Sequence, residues 1–589
     1  MCGIFGYIGP KTNAANIVLE GLKHLEYRGY DSWGIAAKKN SEFIVEKHVG
    51  KIGNARINSY LSTLTSQLSL GHTRWATHGR VTVNNAHPHL DCKKQIVVVH
   101  NGIIENFLDI KEDLIKKGHT FVSETDTEVV PHLIEEYLKK EDFLSAVRDA
   151  FNQLKGFNAI VVANSREVIA AKNGSPLIVG VGKEELFIAS DASGIIKHTK
   201  NVIFIEDNQM VVLGKSVKLF NLSDGKEIKP VINKLTWQFE EVEKGRFKHF
   251  ILKEIYEQPR VIENISLNYQ QDIKKLAFLI KKAFGTFMLG CGSASYAALA
   301  GTYLFSKIAK EHVNFSIGSE FNYLEDYLTK DTLVIAISQS GETIDVVEPV
   351  QKAKKKGLKI AAIVNVLGSS LYRQADFKFL LGAGKEVAVV GTKSFIAMIS
   401  VLLLAAYTFA KKHELGKTLL LDASASVRKI LKDEFIKRIK KVAQDLKNKE
   451  HIYIIGRGLS YAAALEAALK IKETSYIHAE GFAGGELKHG VIALIDKGTP
   501  CVVIAPNDET YDDIISNAEE LKARGGIIIG IGPKNNKVFD RFLETEDLKE
   551  ATIIPQVVIS QLIAYNLAIE KGIKDPDKPR NLAKSVTVK

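Results

Sequence analysis

A cysteine stands directly after the initiator methionine, where its own α-amine can act as a base. Gly3 follows Cys2, and a small residue in second position suits the removal of Met1. A free α-amine has a pKa near ~7.7–8.0, so it can accept the thiol proton near neutral pH. The alternative is an ordinary cysteine that only starts a β-strand. Cys2 alone does not decide between the two.

Five short segments of the first 130 residues place unusual polar residues between apolar runs. They are RGYDS at 28–32, HTRWATH at 72–78, NNAHPH at 84–89, HNGIIEN at 100–106 and SETDTE at 123–128. One interpretation takes the histidines of these segments as a metal cluster, namely His72, His78, His87, His89 and His100. They are accompanied by neither an HExxH motif nor a set of cysteine ligands, so we favour a site without metal.

A second group of residues that could bind a ligand is SQSGET at 338–343, which follows an apolar run. Hydroxyls and free N–H groups at a helix N-terminus gather around an anion such as phosphate, although a simple Ser/Thr helix cap has the same composition. Gly290-x-Gly292 and Gly456-x-Gly458 lack the third glycine of a dinucleotide site. We interpret them as tight strand-to-helix turns, and NAD is not expected.

The elements that must position these residues change character along the chain. Up to about residue 236, short Val/Ile-rich runs alternate with Gly, Asn and Asp turns, which predicts layered sheets with a few helices. Beyond about residue 240, apolar strands alternate with long helical patterns, which is typical of doubly wound parallel sheets. We therefore predict an α/β multidomain protein with domains at 1–236, 237–430 and 431–589.

The last two domains are predicted from an internal repeat. FMLGCG at 287–292 matches YIIGRG at 453–458, and TLVIAISQSGET at 332–343 matches TPCVVIAPNDET at 499–510, at nearly the same offset. Helical sequence near 411–450 separates the two copies. The second copy loses the hydroxyls and gains acid, so only the first is expected to hold an anion.

Bulk composition excludes several other classes of protein. With 589 residues, 46% hydrophobic and 25% charged, the chain can fill several cores. Its net charge of +11 is spread over stretches without interleaved aromatics, such as 437–449, so nucleic-acid binding is not expected. The apolar run 397–410 is shorter than a membrane span and predicts a buried helix. Four cysteines without a CxxC pair and the absence of a visible secretory signal favour the cytoplasm.

The polar segments of the first domain resemble the glutaminase domain of class II, N-terminal-nucleophile amidotransferases, over most of residues 2–236. The resemblance implies that Cys2 is the nucleophile, and that Asn101 and the N–H of Gly102 form the oxyanion hole. It also implies a glutamine site in which Arg74 binds the α-carboxylate and Asp126 the α-ammonium group. Thr77 and His78 would line that pocket, and Trp75 would gate the passage of ammonia.

The remainder of the chain resembles the sugar isomerase (SIS) family in both copies. The segments that carry the likeness further are HFILKEIYEQP at 249–259, NVLGSS at 365–370, ALEAALKIKE at 464–473, GELKH at 485–489 and PRNLAKSVT at 579–587. The resemblance implies a set of residues that hold a sugar phosphate, namely Ser293, Ser338, Gln339, Ser340, Thr343 and Lys470. It also implies that Glu473 moves a proton, Lys584 forms a Schiff base and His489 assists ring opening.

Together the two resemblances imply an enzyme that uses L-glutamine and fructose 6-phosphate and needs neither a metal nor an organic cofactor. They also imply a homodimer in which His489 reaches the partner's site. The sequence departs from the family patterns at Trp33, Ala294 and Gly391. At the last two positions the family usually has a serine, so two hydroxyl groups near the sugar are missing. They leave open an amidotransferase or deaminase for another sugar phosphate. A non-catalytic sugar-phosphate sensor is the other alternative, but it has no use for Cys2 or Glu473.

Overall fold

A computed structural model of the chain describes residues 2–53, 55–235 and 244–586. The chain divides into two compact units. The first unit comprises Met1–Glu243 together with Ala583–Lys589, and the second comprises Lys244–Leu582. The expected boundary at Thr236 lies outside the described residues, as does Met1.

The described residues of the first unit form short strands and five α-helices. Its strands are β1 (Gly3–Ile8), β2 (Ser32–Lys39), β3 (Glu42–Val49), β4 (Leu68–Arg74), β5 (His89–Leu90), β6 (Val97–Gly102), β7 (Asn158–Ala163), β8 (Val168–Lys172), β9 (Ile178–Val181), β10 (Leu186–Ala189), β11 (Asn201–Phe204), β12 (Gln209–Leu213), β13 (Val217–Asn221), β14 (Glu227–Ile228) and β15 (Asn233–Lys234). Its helices are α1 (Ala14–Lys23), α2 (Ser59–Thr63), α3 (Phe107–Lys116), α4 (Val129–Tyr137) and α5 (Phe143–Gln153).

These strands form two antiparallel sheets that pack face to face. The first has the order β15-β11-β9-β10-β1-β4-β2-β3 and the second the order β14-β13-β12-β8-β7-β6-β5. Alternating residues explain the layers: Val97 and Val99 face the core between the sheets, whereas Ile96 and Val98 face the outer core with α3, α4 and α5. Helix α1 covers the other sheet. The predicted layered sandwich is confirmed.

The second unit alternates strands with long helices. Its helices are α6 (Phe250–Asn268), α7 (Gln270–Lys282), α8 (Ser293–Leu304), α9 (Gly318–Phe321), α10 (Ile344–Lys355), α11 (Ser370–Gln374), α12 (Lys393–Phe409), α13 (His413–Ile430), α14 (Asp433–Leu446), α15 (Leu459–Ser475), α16 (Tyr511–Ala523) and α17 (Ile553–Glu570). Its strands are β16 (Gly285–Gly290), β17 (Asn314–Ile317), β18 (Thr332–Ser338), β19 (Lys359–Val364), β20 (Phe377–Leu380), β21 (His451–Gly456), β22 (His478–Ala483), β23 (Pro500–Ile504), β24 (Ile527–Gly532) and β25 (Arg541–Glu544).

Both sheets of the second unit are parallel, five-stranded and of the same order. They run β17-β16-β18-β19-β20 and β22-β21-β23-β24-β25, so each strand of the first copy has an equivalent in the second. The turn after the first strand of each copy is also the same, since Gly292 has φ +55° and Gly458 has φ +53°. Glycine is favoured there because other residues rarely adopt positive φ. The predicted repeat of doubly wound domains is confirmed.

Apolar helices form one continuous core in the second unit. Helix α12 contains all but the last residue of the predicted run 397–410 and buries 15 of its 17 residues. One described helical stretch, Lys549–Glu570, is long and apolar enough to span a membrane, and 94% of its apolar window is buried within the protein. The predicted boundary between residues 430 and 431 lies at the short connection between α13 and α14. The described residues 583–586 group with the first unit.

Candidate active sites

Cys2 immediately precedes β1, a central strand whose side chains are buried on both faces. Neighbouring strands on both sides anchor β1, because Gly3 pairs with Thr73 of β4 and Phe5 pairs with Ala189 of β10. The N–H of Trp75 donates to Cys2 Sγ at 3.1 Å. Burial raises the pKa of the Cys2 thiol, while this N–H and the nearby guanidinium group of Arg74 lower it. Burial outweighs these groups, so the pKa of the thiol stays above its ordinary value and the thiol needs a base to ionise.

Asn101 brings a side-chain amide to the same place. Its Nδ2 donates to the carbonyl oxygen of Cys2 at 3.1 Å, and its Oδ1 lies 3.1 Å from Nε2 of His72. His72 also contacts the carbonyl oxygen of His100 at 3.0 Å through the same nitrogen. Both partners are acceptors, so Nε2 of His72 carries the proton. Burial lowers the pKa of His72 to about 3, which keeps the ring neutral.

Gly102 follows Asn101 with a backbone that only glycine adopts easily. Its φ is +141°, and a Cβ atom would lie 2.4 Å from the carbonyl oxygen of Phe157. Any side chain here would collide with the backbone, so the sequence keeps glycine at the end of β6. The amide of Asn101 and the backbone of Gly102 are thus adjacent at the end of this strand.

Arg74 and Asp126, the expected glutamine clamp, are both buried within the first unit. The guanidinium group of Arg74 donates to the carbonyl oxygens of His78, Gly79 and Arg80, with 3.2 Å to the last. Asp126 accepts from the N–H of Ile104 at 2.8 Å. Burial lowers the pKa of Arg74, and the charges of Cys2 and Asp126 partly oppose this. The guanidinium group therefore orders the loop that follows β4.

Trp75, Thr77 and His78 lie on that loop. Trp75 is half-buried and meets Tyr30 edge to face, with ring centroids 5.2 Å apart. Thr77 is exposed, and His78 packs edge to face on Phe107 at 5.6 Å. The loop is held at its start by the N–H of Ala76, which donates to Asp31 at 2.9 Å. These three side chains are therefore the more accessible part of the site.

The five histidines of the rejected metal cluster do not converge on one point in the described part of the chain. His72 stacks on His87 with centroids 4.2 Å apart, but its Nε2 is engaged by Asn101. His89 contacts Thr125, and both ring nitrogens of His100 contact side chains of Thr127 and Asn158, while His78 lies on the loop after β4. Three of the rings, those of His72, His89 and His100, are held by hydrogen bonds to neighbouring side chains or backbone.

The SQSGET segment forms the loop between β18 and α10 in the second unit. Ser338 Oγ accepts from the N–H of Gly341 at 3.0 Å, and Ser340 Oγ accepts from the N–H of Glu342 at 3.1 Å. Thr343 stands at the N-terminus of the twelve-residue helix α10 without a side-chain cap bond. Gln339 is half-buried beside it. Hydroxyls and helix N–H groups thus lie together on one loop, as an anion site requires.

The equivalent loop of the second copy is occupied differently. Asp508 accepts from Thr510 through both its N–H and its hydroxyl, at 2.9 and 2.7 Å. Lys307 then donates to Asp508 at 3.3 Å and to Glu509 at 2.8 Å. A lysine from the first copy thus pairs with both carboxylates of this loop, which carries acidic groups where the first copy has hydroxyls.

Three charged residues of α15 lie on one helical face, because they are spaced four and three residues apart. Lys470 is 1% exposed and donates to Glu473 at 2.6 Å and to Ser293 Oγ at 3.0 Å. Glu466 lies 3.5 Å from the same ammonium group and accepts from Ser293 at 3.2 Å. The structure therefore brings together the predicted Ser293, Lys470 and Glu473.

Glu466 is a site residue that the sequence analysis did not single out. Burial raises its pKa to about 7, against the opposing charge of Lys470. Burial alone would lower the pKa of Lys470, but the two carboxylates raise it above its usual value. A signal was present in the sequence, since three charged residues recur at helical spacing in an otherwise Ala- and Leu-rich segment.

The three departures from the family patterns have different surroundings. A Cβ atom on Gly391 would lie 3.6 Å from Ser394 Oγ and 3.9 Å from Ser293 Oγ, so a serine there would fit beside Ser293. Ala294 is buried in the first turn of α8. Trp33 is buried in β2 and stacks on His48 at 4.4 Å. Of the three, Gly391 is the position with room for a hydroxyl next to the sugar-site residues.

His489 and Lys584 are not brought into these clusters. His489 is exposed and ends a 3-10 helix at 484–489. Lys584 is partly buried and belongs to the terminal segment that groups with the first unit. The roles of these two residues rest on the resemblance.

Family models match three stretches of the chain, and curated relatives cover all of it. A glutamine amidotransferase domain model matches residues 72–197, and a SIS domain model matches 279–407 and 445–571. The chain is 43% identical to glutamine–fructose-6-phosphate aminotransferase (isomerizing) of Clostridium tetani over 618 residues, covering 100% of both chains. It is also 43% identical to the protein of that name from Pyrococcus horikoshii over 607 residues, again covering 100% of both.

Solved structures show the same architecture for the second unit. The C-terminal domain of glucosamine-fructose-6-phosphate aminotransferase from Francisella tularensis is 35% identical with a TM-score of 0.52, covering 56% of this chain and 98% of that one. Tagatose-6-phosphate ketose/aldose isomerase from Escherichia coli shares the fold, with 15% identity and a TM-score of 0.50. The match covers 57% of this chain and 96% of that one. The chain belongs to the family of glutamine–fructose-6-phosphate aminotransferases (isomerizing).

Proposed function

We propose that the protein converts fructose 6-phosphate and L-glutamine to glucosamine 6-phosphate and L-glutamate, as a step of amino-sugar biosynthesis. The observation that carries the proposal is the position of Cys2. Its sulfur accepts the N–H of Trp75, and the amide of Asn101 lies beside its carbonyl, in a chain that matches its relatives from end to end. A binding module for sugar phosphates would need none of these three groups.

The first half-reaction releases ammonia from glutamine. Once Met1 is removed, the α-amine of Cys2 takes the thiol proton, and the thiolate attacks the side-chain amide carbon of glutamine. Asn101 Nδ2 and the Gly102 N–H stabilise the oxyanion of the tetrahedral intermediate, a contribution of about 3–4 kcal/mol per donor. Collapse expels ammonia and leaves a thioester on Cys2, which water hydrolyses to glutamate.

Recognition of the glutamine backbone falls to charged residues of the same unit. Arg74 binds the α-carboxylate in place of the carbonyl oxygens of residues 78–80, and Asp126 binds the α-ammonium group. Thr77 and His78, on the accessible loop, close the pocket over the substrate. Trp75 follows Arg74 directly and controls the passage of ammonia away from the thioester.

The second half-reaction takes place in the SIS domains. The phosphate of fructose 6-phosphate binds Ser338, Gln339, Ser340 and Thr343 at the N-terminus of α10. His489 assists ring opening, and Lys584 forms a Schiff base with the C2 carbonyl by losing water. Ammonia passed internally from Cys2 displaces the lysine amine, which leaves an imine at C2.

Proton transfer then completes the isomerisation. Glu473 removes a proton from C1 and returns one to C2, while the proton of the C1 hydroxyl passes to the imine nitrogen, so that the C2 imine becomes an amine and C1 becomes the aldehyde. Lys470 holds Glu473 in place at 2.6 Å and reaches Ser293 of α8. Glu466, whose pKa is raised to about 7, supplies a second proton-exchanging group beside this pair. No bond change in this sequence needs an oxidant or a reductant.

The exposed position of His489 supports assembly as a homodimer. His489 ends a turn on the surface of its own chain, where a partner subunit can contact it. We propose a homodimer that exchanges His489 in this way and acts in the cytoplasm, where free thiols such as Cys2 stay reduced.

An assay with a panel of sugar phosphates tests the proposed reaction. Purified protein with glutamine should form an amino sugar from fructose 6-phosphate at least about tenfold faster than from tagatose 6-phosphate, glucose 6-phosphate or sorbitol 6-phosphate. A clear preference for another ketose phosphate would overturn the proposed substrate. Binding of sugar phosphate without turnover would instead indicate a sensor.

A further inference from the structure

Four side chains of the first unit converge away from the glutamine site. Cys92 lies in the turn between β5 and β6, His119 follows α3, and His132 and Glu135 are one helical turn apart on α4. One ligand atom from each lies within 4.8 Å of the other three. These residues come from three separate parts of the fold, so the tertiary structure and not the sequence spacing assembles them.

The distances between these atoms are those of ligands around one cation. Cys92 Sγ lies 3.5 Å from Nδ1 of His119 and 3.4 Å from Nδ1 of His132, and the two nitrogens are 3.3 Å apart. Glu135 Oε2 lies 3.4 and 3.8 Å from the same two nitrogens. Tetrahedral zinc, with bonds of about 2.0–2.3 Å, places its ligands about 3.3–3.8 Å apart.

Hydrogen bonding alone explains the cluster less well. An N–H···O hydrogen bond spans about 2.7–3.2 Å, and the contacts from Glu135 to both imidazole nitrogens are longer than that. Each of the four atoms can also act as an acceptor. Such a group of acceptors is stable at close range only when protons or a cation lie between its members.

The outer contacts prepare the four atoms for a metal. Nε2 of His119 lies 2.7 Å from Glu136 Oε1, a carboxylate oxygen, so this nitrogen carries the proton and Nδ1 is left with its lone pair. The N–H of Cys92 donates to Glu135 Oε2 at 3.2 Å and orients that carboxylate. A histidine that donates its other N–H to a carboxylate is the usual arrangement around protein-bound zinc.

We propose that Cys92, His119, His132 and Glu135 bind one zinc ion. A thiolate, two imidazoles and a carboxylate form a mixed N/S/O set that suits Zn²⁺ better than Mg²⁺ or Ca²⁺, which prefer oxygen ligands. The two anionic ligands balance the charge of the ion. Four protein ligands leave no open position, so the site is structural.

The zinc would fix the segment that carries Asp126. That segment runs from His119 to α4, and both of its ends supply a ligand. Within it, Glu128 accepts from the N–H groups of Val122 and Ser123 at 2.9 and 2.7 Å. Asp126 lies between the two ends, and its carboxylate accepts from the N–H of Ile104. Loss of the metal should therefore weaken glutamine binding more than it slows the sugar reaction.

Metal analysis of the purified full chain tests the site. After dialysis against zinc and then against metal-free buffer, we expect about one equivalent of zinc per chain in the wild type. Cys92→Ser and His132→Gln should each retain less than about a fifth of that. Cys501→Ala, which removes a buried thiol outside the cluster, is the matched control and should retain the full equivalent.

Cobalt substitution gives a readout that does not depend on activity. The Co²⁺-loaded wild type should show a thiolate-to-metal charge-transfer band, and this band should be lost in Cys92→Ser and kept in Cys501→Ala. Wild-type protein that holds less than about a tenth of an equivalent of zinc after loading would overturn the proposal. So would a Cys92→Ser variant with the same zinc content and the same cobalt spectrum as the wild type.

Discussion

Nε2 of His72 lies 3.1 Å from Oδ1 of Asn101 and thereby fixes the direction of the amide whose other atom, Nδ2, points to the carbonyl of Cys2. Without this contact the amide can rotate and exchange its donor for its acceptor. An acceptor facing the developing oxyanion would repel it. His72 is therefore a positioning residue for the first half-reaction, although it touches no substrate atom in the proposed mechanism.

Replacement of His72 by phenylalanine should lower the glutaminase kcat about 10–100-fold, because Asn101 would lose the partner that orients its donor. Release of glutamate from glutamine measures this directly. His72→Gln keeps a donor and should recover part of the rate. His198→Phe is the control, since His198 stacks on Phe187 and lies outside the proposed oxyanion site. Equal rates for His72→Phe and His198→Phe would contradict the assignment.

Removal of one hydroxyl from the anion loop should weaken sugar binding. Ser340→Ala should raise KM for fructose 6-phosphate about 10–100-fold, because hydrogen bonds to charged groups contribute about 1.5–3 kcal/mol. Asn507→Ala, at the equivalent place in the second copy, should leave KM within about twofold, since that loop is closed by Lys307. An equal rise in KM for both variants would show that the loops of both copies contribute to phosphate binding.

Gly391 offers a gain of function. Gly391→Ser adds a hydroxyl next to Ser293 without steric conflict, so KM for fructose 6-phosphate should fall up to about tenfold, the effect of one hydrogen bond. Thermal stability should be unchanged. Gly456→Ser is the steric control, because its Cβ would lie 2.2 Å from the carbonyl oxygen of Ser460 and should cost about 1–3 kcal/mol. A KM that rises in Gly391→Ser would refute the expected contact.

Glu466 should make the stability of the SIS domains depend on pH. Its pKa is raised from 4.5 to about 7 in the folded state, so the folded protein binds more protons than the unfolded chain between these values. The stability contributed by the protonated form is present below about pH 4.5 and is lost as the pH rises to about 7.

The difference in Tm between the wild type and Glu466→Gln isolates this effect. Glutamine is neutral at every pH, so the wild type should lose Tm relative to the variant as the pH is raised from about 5 to about 8. Thermal unfolding at several pH values, with both proteins in the same buffers, measures the difference. A constant difference across this range would show that Glu466 stays ionised in the folded protein.

Sequence patterns predicted the layers of this protein well because alternation and helical periodicity are local. Ile96 and Val97 are neighbours in the chain, yet they face two different cores, as the alternation of a buried strand requires. The repeat was likewise visible, since FMLGCG and YIIGRG keep both glycines that the strand-to-helix turn requires. Helix α12 was identified from composition alone, because an apolar run of that length without charges has to be buried.

The sites were less predictable because they depend on contacts between distant residues. His72 and Asn101 meet only when β4 and β6 lie in facing sheets, and no local pattern indicates that. The helical spacing of Glu466 and Lys470 is visible in the sequence, but only the structure shows that Glu466 is buried beside Lys470. The cluster around Cys92 spans three parts of the fold with no standard ligand spacing. His72, His89 and His100 contact side chains and backbone groups that are distant in the sequence.

The origin of the nitrogen in the product tests the central proposal most directly. Wild-type protein supplied with fructose 6-phosphate and glutamine labelled with nitrogen-15 at the side-chain amide should give labelled glucosamine 6-phosphate, as measured by mass spectrometry. Cys2→Ala should give no labelled product from glutamine yet still isomerise fructose 6-phosphate at the wild-type rate. Labelled glucosamine 6-phosphate from the Cys2→Ala protein, at a rate comparable with the wild type, would contradict the account.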